Sequence, residues 1–272
     1  MALRSAILNV MVAAAQKAAR QLVRDFGEVE NLQVSKKGPA DFVSHADRRA
    51  EDILRSELLR VRPAYGVLME ESGEIIGTDT SNRWLIDPLD GTTNFLHGIP
   101  HFSISLALER DNELFAGLVY SPVYDEMFIA ERGKGAYLNG RRLRVSGRTR
   151  IDECIFATGV PFKGIPGHQL FLRQLSSVMA VSAGVRRFGS AALDLAYVAA
   201  GRYDGYWENG LNPWDIGAGI VLVREAGGFV TDLTEGKKML SGGGILAANP
   251  SLHPQLAKLI AEAPAVAATG SG

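Results

Sequence analysis

The segment RWLIDPLDGTTNF, residues 83–95, limits the possible folds of this chain more than any other stretch. Its first residues are apolar, and a short apolar run that ends in turn residues is typical of a buried strand. The run ends in Asp87 and Asp90, with Pro88 between them. A carboxylate at the end of a buried strand is costly unless a cation meets it. The segment therefore predicts a strand that delivers two acids to a cation.

The residues around the two aspartates indicate which kind of cation. Pro88 is expected to stop the strand, and Gly91 lets the backbone bend closely. The two carboxylates and the carbonyl of Leu89 then converge on one point. Oxygen ligands of this kind suit Mg²⁺. Thr92 is predicted to begin a short helix whose free N–H groups bind a phosphate group.

Other acids stand where predicted elements begin or end, which is where α/β folds place their sites. They are Glu70 and Glu71 after the strand-like run YGVLM, Asp47 at a helix start, and Asp215 inside the first turn of a helix after Pro213. An aspartate at a helix start is usually a cap, by roughly three to one for any single residue. Capping explains Asp90 but leaves Asp87 without a partner. A cation explains both.

Composition places the chain among ordinary globular proteins. It has 272 residues, 46% of them hydrophobic, which is enough for one large domain or two fused halves. Lys and Arg number 29 against 30 for Asp and Glu, so the net charge of −1 gives no general attraction to nucleic acid or anionic membranes. The single Cys154 suits a reducing compartment, and no apolar run approaches the roughly 18 residues of a membrane span. We expect a soluble, cytoplasmic protein.

The order of the predicted elements divides the chain into two halves. Apolar periodicity predicts helices over about 3–25 and 44–63, joined by a mobile loop, with a capping box from Ser44 to Asp47 at the second start. Three strand-like runs with short turns follow and predict an antiparallel meander, and Asn139-Gly140 between alternating apolar runs predicts a hairpin turn. From about 146 strands and helices alternate. We expect an N-terminal α+β half over 1–145 and a C-terminal α/β half over 146–272 in one compact domain.

Four segments resemble the inositol monophosphatase family: GVLMEES, WLIDPLDGTTNFLHGIPHFSISLAL, WDIGAGIVLVREAGG and DFVSHAD. The likeness covers nearly the whole chain, and its two longest segments are specific. It implies an α/β (α+β) fold, the layered αβαβα sandwich of the inositol monophosphatase and fructose-1,6-bisphosphatase type. It also implies a magnesium-dependent, lithium-sensitive phosphatase. Gly217 departs from the family, which more often carries Ala or Cys there, and this affects helix packing more than metal binding.

The resemblance further implies a set of oxygen ligands for two Mg²⁺ ions. The first ion would be held by Glu70, Asp87 and the carbonyl of Leu89, and the second by Asp87, Asp90 and Asp215. Asp87 would bridge the two. Two divalent ions activate the attacking water and neutralise the departing oxygen of an in-line displacement.

Further roles follow from the same resemblance. Thr92, Asp47 and Glu70 would be the catalytic residues, with Thr92 and Asp47 orienting the attacking water and taking up its proton. Glu70 would contribute through water, and Glu71 would accompany a third, weaker Mg²⁺. Lys36, on the mobile loop, is a candidate for covering that site, although a solvated lysine explains it equally well.

The substrate pocket implied by the resemblance draws on both halves of the chain. Its members are Asp90, Gly91, Thr92, Gly189, Ser190, Ala191, Glu208 and Asp215. Glu208 matches the acid that accepts hydrogen bonds from inositol hydroxyls, seven residues before Asp215. Family branches that act on adenosine bisphosphates or fructose bisphosphate do not keep this arrangement. The expected reaction is hydrolysis of myo-inositol 1-phosphate to inositol and phosphate, although without the resemblance Glu208 is equally explained as an exposed acid at a strand end.

Two alternatives are left open by the sequence. One is a phosphatase for another small phosphomonoester, such as histidinol phosphate, a sugar phosphate or a nucleotide bisphosphate. The other is a regulatory protein on the same fold, associated with RNA or a transcription complex. The basic run NGRRLRVSGRTR supports it, since Arg142 and Arg144 are predicted to share a strand face, but such a run is usually a solvated sheet edge. The complete set of acidic positions favours the enzyme.

The resemblance also bears on partners. The family usually forms homodimers through surfaces of its C-terminal half, and Arg186 and Arg187 lie in that region. We therefore expect a homodimer that acts on a small phosphorylated metabolite, without a membrane partner. The two histidines of HGIPH have the spacing of zinc ligands on a helix, but the glycine and proline between them prevent a regular helix, so no zinc site is predicted.

Overall fold

The computed structural model describes residues 5–32, 39–161, 166–234 and 236–263. In these residues the helices are α1 (Ala6–Leu32), α2 (Pro39–Val61), α3 (Thr92–Leu96), α4 (His168–Met179), α5 (Ala191–Ala199), α6 (Pro213–Glu225), α7 (Met239–Gly242) and α8 (His253–Ala261). The strands are β1 (Tyr65–Met69), β2 (Gly73–Ile75), β3 (Asp79–Asp90), β4 (Ser103–Arg110), β5 (Glu113–Ser121), β6 (Glu126–Glu131), β7 (Gly135–Leu138), β8 (Arg141–Arg142), β9 (Ile155–Thr158), β10 (Gly184–Arg186), β11 (Gly205–Glu208), β12 (Phe229–Thr231) and β13 (Ile245–Ala248). No helix within these ranges has both the length and the apolar character needed to cross a membrane.

The first sheet has the strand order β2-β1-β3-β4-β5-β6-β7-β8. β1 and β3 are parallel, and the other neighbours are antiparallel. In the meander, Leu106 of β4 lies opposite Leu118 of β5, which lies opposite Ile129 of β6. The turn from β7 to β8 contains Asn139 and Gly140 at positive φ. The predictions of the antiparallel meander and of this hairpin turn are confirmed.

The two faces of the first sheet bury different layers, because neighbouring side chains of a strand point to opposite sides. In β3, Trp84 and Ile86 belong to the core shared with α1 and α2, whereas Leu85 belongs to the core shared with α5 and α6. Asp87, two residues further on, continues the face of Leu85. The acid at the end of this strand therefore points into the layer that contains α5 and α6.

The second sheet has the order β10-β9-β11-β13-β12 and closes the far side of that layer. Tyr206 of β11 joins the core with α5 and α6, and its neighbour Trp207 joins the core with α8. Val178 of α4 and Leu256 of α8 belong to this outer core. The layers are therefore helix, sheet, helix, sheet, helix, and the predicted αβαβα sandwich is confirmed.

Gly217 marks a close approach of α6 to the first sheet. A Cβ atom at this position would lie 2.9 Å from Cδ1 of Leu85 and 3.1 Å from Cβ of Ala107. Both distances are shorter than ordinary van der Waals contact, so a larger residue requires the helix or the sheet to move. The departure from the family at Gly217 thus concerns the packing of α6.

The predicted ends of the first two helices are wrong. α1 continues to Leu32, and α2 begins at Pro39, so Ser44 and Asp47 lie inside α2 and do not cap its start. The reason is that proline suits the first turn of a helix, where its missing N–H is not needed. Residues 33–38, which include Lys36 and part of the predicted mobile loop, lie outside the described residues.

The predicted basic strip on one strand face is also wrong. β8 consists of Arg141 and Arg142 alone, so Arg144 lies beyond the strand. The chain leaves the sheet there because it turns towards the end of α6, where the N–H of Val145 donates to the carbonyl of Ala226 at 3.1 Å.

Candidate active site

β3 does not stop at Pro88, as predicted, but continues through a bulge to Asp90. Asp87 pairs with Ser105 of β4, and Asp90 pairs with Ser103, so three residue steps on β3 oppose two steps on β4. An extra residue of this kind interrupts the hydrogen-bond ladder and re-aims the neighbouring side chains. Pro88 fits there because it has no N–H to contribute. The bulge therefore sets where the two acids point.

Local contacts hold the turn after the bulge. The N–H of Leu89 donates to Oδ1 of Asp87 at 2.9 Å, and the hydroxyl of Thr92 donates to the carbonyl of Leu89 at 3.0 Å. Gly91 has a φ of 100°, and a Cβ atom there would lie 3.0 Å from the carbonyl oxygen of His101. A side chain at this position is therefore strained and crowded. The short helix α3 begins at Thr92, as predicted.

The beginning of α5 holds Asp90. Oδ2 of Asp90 accepts a hydrogen bond from the hydroxyl of Ser190 at 2.5 Å and another from the N–H of Ala192 at 2.8 Å. Ser190 is also the N-cap of α5, since its oxygen accepts from the N–H of Leu193 at 3.4 Å. One serine thus caps a helix of the middle layer and fixes an acid of the first sheet.

Asn94 ties α3 to the chain just before α5. Its Nδ2 donates to the carbonyl oxygens of His101 and Phe188, both at 2.7 Å. Gly189 follows with a φ of 84°, and a Cβ atom there would lie 2.7 Å from Nη1 of Arg187. The predicted pocket residues at 189–191 consequently lie next to the turn that carries the aspartates.

Asp215 occupies the third position of α6 and forms a capping box with Asn212. Oδ2 of Asp215 accepts from the N–H of Asn212 at 2.7 Å. Ser105, the partner of Asp87 in β4, donates to the carbonyl of Trp214 at 2.9 Å and fixes the start of α6 against the sheet. Asp215 is therefore a cap through one oxygen, which leaves the other oxygen for a second role.

α2 brings two further acids to this region, Asp47 and, one turn later, Glu51. Both are buried, with 5% and 2% of their surface exposed. Oε2 of Glu51 accepts from the N–H of Glu71 at 2.9 Å, and Oε1 accepts from the hydroxyl of Ser72. Glu51 therefore fixes the turn after β1 that carries Glu70 and Glu71.

Burial raises the pKa values of these acids, and their neighbours raise them further. Burial raises the pKa of Asp47 to about 8, and the charges of Glu71 and Glu70 add to the shift. The pKa of Asp215 rises to about 8 and that of Asp90 to about 6, again mainly through burial. Hydrogen bonds from Ser190 and from the start of α5 oppose the shift at Asp90. The acids thus disfavour one another's ionisation.

Asp87 lies at the centre of this cluster. It is 2% exposed, and burial raises its pKa well above the ordinary value, with the charges of Glu70, Asp90 and Asp215 adding to the effect. A hydrogen bond between Asp87 and Glu70 raises the pKa of Asp87 and lowers that of Glu70, although burial raises the pKa of Glu70 overall. Acids from α2, β1, β3 and α6 therefore share one electrostatic environment.

The donor set fits a hard cation, although no three His, Cys, Asp or Glu side chains of the described ranges converge in a geometry ready to hold a metal ion. One oxygen each of Asp87, Asp90 and Asp215 accepts from a protein donor. Oδ1 of Asp47 is buried without a hydrogen-bond partner. Buried, mutually repelling carboxylates with unused oxygen atoms are suitable ligands for Mg²⁺.

Glu208 is the last residue of β11, but it is only partly exposed. The hydroxyl of Tyr206 donates to Oε2 of Glu208, and burial raises the pKa of Glu208 to about 7. The charge of Asp90 also raises this pKa, which places Glu208 near the acid cluster. A Cβ atom at Gly159 would lie 1.8 Å from Oε1 of Glu208. The carboxylate therefore occupies the space that a side chain at 159 would need.

Comparison with known proteins identifies the family. A model of the inositol monophosphatase family matches residues 3–265. The inositol-1-monophosphatase of Mesorhizobium japonicum is 58% identical over 257 residues, which are 94% of this chain and 97% of that protein. This chain belongs to the inositol monophosphatase family. The resemblance inferred from the sequence motifs is confirmed.

Two further relatives carry a different name. The crystal structure of the extragenic suppressor protein SuhB from Bartonella henselae has a TM-score of 0.88 and 57% identity, and the match covers 94% of this chain and 98% of that one. The Nus factor SuhB of Escherichia coli K12 is 45% identical over 90% of this chain and 91% of that protein. Membership of the inositol monophosphatase family makes this chain a phosphoric monoester hydrolase, and the family is generally magnesium-dependent.

Within this family member, three residues of the region were not found from the sequence: Glu51, Gly159 and Asp194. Glu51 stands four residues after Asp47, the spacing of one helix face, and this was a usable signal. Asp194 is 1% exposed in the apolar helix α5, its Oδ1 has no hydrogen-bond partner, and burial followed by the charge of Glu208 raises its pKa well above the ordinary value. No local signal distinguishes Gly159, because its importance arises from a neighbour distant in sequence.

Proposed function

We propose that this chain hydrolyses the phosphate monoester of a small polyol, with myo-inositol 1-phosphate as the substrate. The observation that carries the proposal is the cluster of buried acids whose pKa values rise together at the meeting point of α2, β1, β3 and α6. Such a cluster does not accept a phosphate dianion until cations neutralise it. The relatives named inositol-1-monophosphatase support the choice of alcohol.

Magnesium, when bound, would neutralise the acids and the phosphate and lower the pKa of an attacking water. The chain offers ligands for two ions, with a third position beside Glu71. One group of ligands is Glu70, Asp87 and the Leu89 carbonyl, and the other is Asp87, Asp90 and Asp215. The hydrogen bonds on Asp90 and Asp215 hold these carboxylates in place before any ion arrives.

Asp47 and Thr92 are the catalytic residues of the proposal. Oδ1 of Asp47 is buried and has no hydrogen-bond partner, so this oxygen is available to accept the proton of the attacking water. Thr92 is fixed by its hydrogen bond to the Leu89 carbonyl and would orient the water. Gly91 and Thr92 would also present backbone N–H groups to the phosphate.

The alcohol would bind beside Glu208. Its carboxylate accepts from Tyr206 and would also accept from the hydroxyls of a polyol. Gly189, Ser190 and Ala191 would form the adjoining wall, with small side chains that leave room for a sugar-sized ring. Selectivity among alcohols would therefore depend on the carboxylate of Glu208 and its distance from the phosphate-binding N–H groups.

A phosphate-release screen across phosphorylated metabolites tests the proposal. With Mg²⁺, inositol 1-phosphate should be among the fastest substrates, and chelator or lithium should abolish or reduce its release. Asp87→Asn should remove the activity while the metal-free protein melts at the same or a higher temperature, because one buried charge is lost. Asp52→Asn, an exposed acid of α2, is the matched control. Near-normal turnover of Asp87→Asn, or turnover in chelator, would reject the metal assignment.

The name Nus factor on a relative of 45% identity keeps a binding function as the second candidate. Retention on heparin that is strong at low salt and weakens steeply as salt rises would favour it. The set of acids described above favours the enzyme, because a binding role does not require them.

We infer in addition that two copies pair through the second half of the chain. α4 and the segments before and after β10 expose large apolar side chains, namely Leu170, Leu172, Met179, Val181 and Phe188. Exposed apolar surface of this kind marks a contact with another protein, and Arg186 and Arg187 lie beside it. Light scattering after size-exclusion chromatography should give twice the chain mass of 29.3 kDa, and Leu172→Glu should shift it towards the monomer.

A further inference from the structure

A cavity of about 680 Å³ lies between α6, α7 and the turn that joins β4 to β5. Its volume is in the range of small-molecule sites. Leu114, Val221 and Leu240 give it apolar wall area, and charged side chains complete its lining. None of the acids of the candidate active site lines this cavity.

The carboxylates of the cavity are already bound to protein groups. Glu109 accepts from Nε of Arg83 at 3.0 Å and from Nη2 at 2.6 Å. Glu113 forms an ion pair with Arg132. Glu225 accepts from two backbone N–H groups at the turn into β7, at 2.8 and 2.7 Å. Each carboxylate of the lining therefore already has a donor or an ion-pair partner in the protein.

Three cations of the same lining have no such partner. Arg224, Lys237 and Lys238 form no ion pair with a carboxylate in the part of the chain that the structure describes. Burial lowers the pKa of Arg224, and the charge of Glu113 offsets this only in part. The lining thus carries five cationic and three anionic side chains, an excess of two positive charges.

One carboxylate accepts hydrogen bonds from backbone N–H groups beside and at the two lysines. The carboxylate of Asp232 accepts from the N–H and hydroxyl of Thr234 at 2.8 and 2.7 Å, from the N–H of Gly236 at 2.8 Å and from the N–H of Lys238 at 3.1 Å. These bonds also hold the pKa of Asp232 down at about 2.

We propose that this cavity binds a small polyanion, a phosphorylated metabolite whose negative charges lie between Arg224 and the pair Lys237–Lys238 and whose uncharged part lies on the apolar wall. Guanidinium groups bind phosphate through two parallel hydrogen bonds, and lysines add positive charge. α6 lines the cavity and carries Asp215 in its first turn. An occupant therefore contacts the helix that also reaches the candidate active site.

Isothermal titration of the EDTA-treated full chain with inorganic tripolyphosphate tests the proposal. Without Mg²⁺ the candidate active site lacks the cations that would hold a phosphate group, so binding there does not interfere. The wild-type protein should bind one equivalent, with an affinity that falls as salt rises. Arg224→Gln and the double variant Lys237→Gln/Lys238→Gln should each weaken binding about ten-fold, because a charge-assisted hydrogen bond is lost.

Arg20→Gln is the matched control, since it removes one exposed positive charge on α1, outside the cavity. It should bind tripolyphosphate as the wild type does. Magnesium-dependent phosphate release and the melting temperature should be unchanged in all variants, which shows that they fold. Absence of binding to the wild type, equal binding to the cavity variants, or equal weakening by Arg20→Gln would each overturn the proposal. The titration uses neither Mg²⁺ nor a phosphate monoester, so it is independent of the proposed function.

Discussion

Ser190 donates its hydroxyl hydrogen to Oδ2 of Asp90 across 2.5 Å and so joins the start of α5 to the end of β3. The two residues are 100 positions apart in the sequence, and the contact connects the first sheet to the middle layer. The same bond lowers the pKa of Asp90 against the effect of burial. A residue of the second half of the chain thus tunes the charge of an acid in the first half.

Replacement of Ser190 by alanine should weaken both the fold and the metal site. The variant loses a helix cap and a hydrogen bond to a carboxylate, which costs about 1 to 3 kcal/mol in the free energy of unfolding. The pKa of Asp90 should rise, so the Mg²⁺ concentration for half-maximal phosphate release should increase several-fold. Ser176→Ala, at an exposed position of α4, is the control and should change neither quantity. An unaltered Mg²⁺ requirement in Ser190→Ala would show that this contact does not matter for the metal.

Replacement of Glu51 by glutamine should loosen the turn that carries Glu70 and Glu71. The carboxylate accepts two hydrogen bonds there, and glutamine presents an N–H₂ group to one of the two donors. Amide hydrogen exchange of Glu71 should become faster in the metal-free protein, and the half-maximal Mg²⁺ concentration should rise several-fold.

The control for this variant is Glu57→Gln on the same helix. Glu57 forms ion pairs with Lys17 and Arg60, and ion pairs at the protein surface contribute little to stability. Equal Mg²⁺ dependence of the two variants would contradict a positioning role for Glu51.

Replacement of Gly159 by alanine should displace Glu208. The added Cβ atom would meet Oε1 at 1.8 Å, so the carboxylate must move. The KM for inositol 1-phosphate should rise about ten-fold in Gly159→Ala and in Glu208→Gln, while glycerol phosphate is affected much less. Gly27→Ala in α1 adds the same atom into open space and should leave both substrates unaffected. If Glu208→Gln raises the KM for inositol 1-phosphate and the KM for glycerol phosphate equally, Glu208 does not select the polyol.

The metal-free protein should lose stability as the pH rises from about 5 to about 8. The folded-state pKa values of Asp47 and Asp215 are about 8, whereas an unfolded aspartate titrates near 4. Between these values the folded state binds more protons than the unfolded state, so a rising pH favours unfolding.

Mg²⁺ should reverse this trend, because it binds ionised carboxylates and its stabilising effect increases with pH. Melting temperatures in EDTA and in Mg²⁺ at pH 5.5, 7 and 8 check both statements. A melting temperature in EDTA that does not fall with pH would mean that the buried acids are not protonated in the folded state.

The sequence was sufficient where a pattern is local. Alternation of apolar residues predicted the meander of β4, β5 and β6, and Asn139-Gly140 predicted the hairpin turn, because strand periodicity and turn chemistry depend on residues close in sequence. Helix ends were less certain. Pro39 was taken as part of a loop, but it opens α2, since both roles suit a proline and only packing selects between them.

By itself the sequence determined the family, the layered fold and the acids that a divalent cation would require, because these depend on long motifs and on residue types. The tertiary structure decided how those acids are held. It has a bulge where the sequence predicted a strand end, and Glu51 accepts a hydrogen bond from the turn that carries Glu70. The carboxylate of Glu208 occupies the space beside Gly159. These contacts join residues far apart in the chain, so their energies depend on the packing of whole layers and no local pattern specifies them.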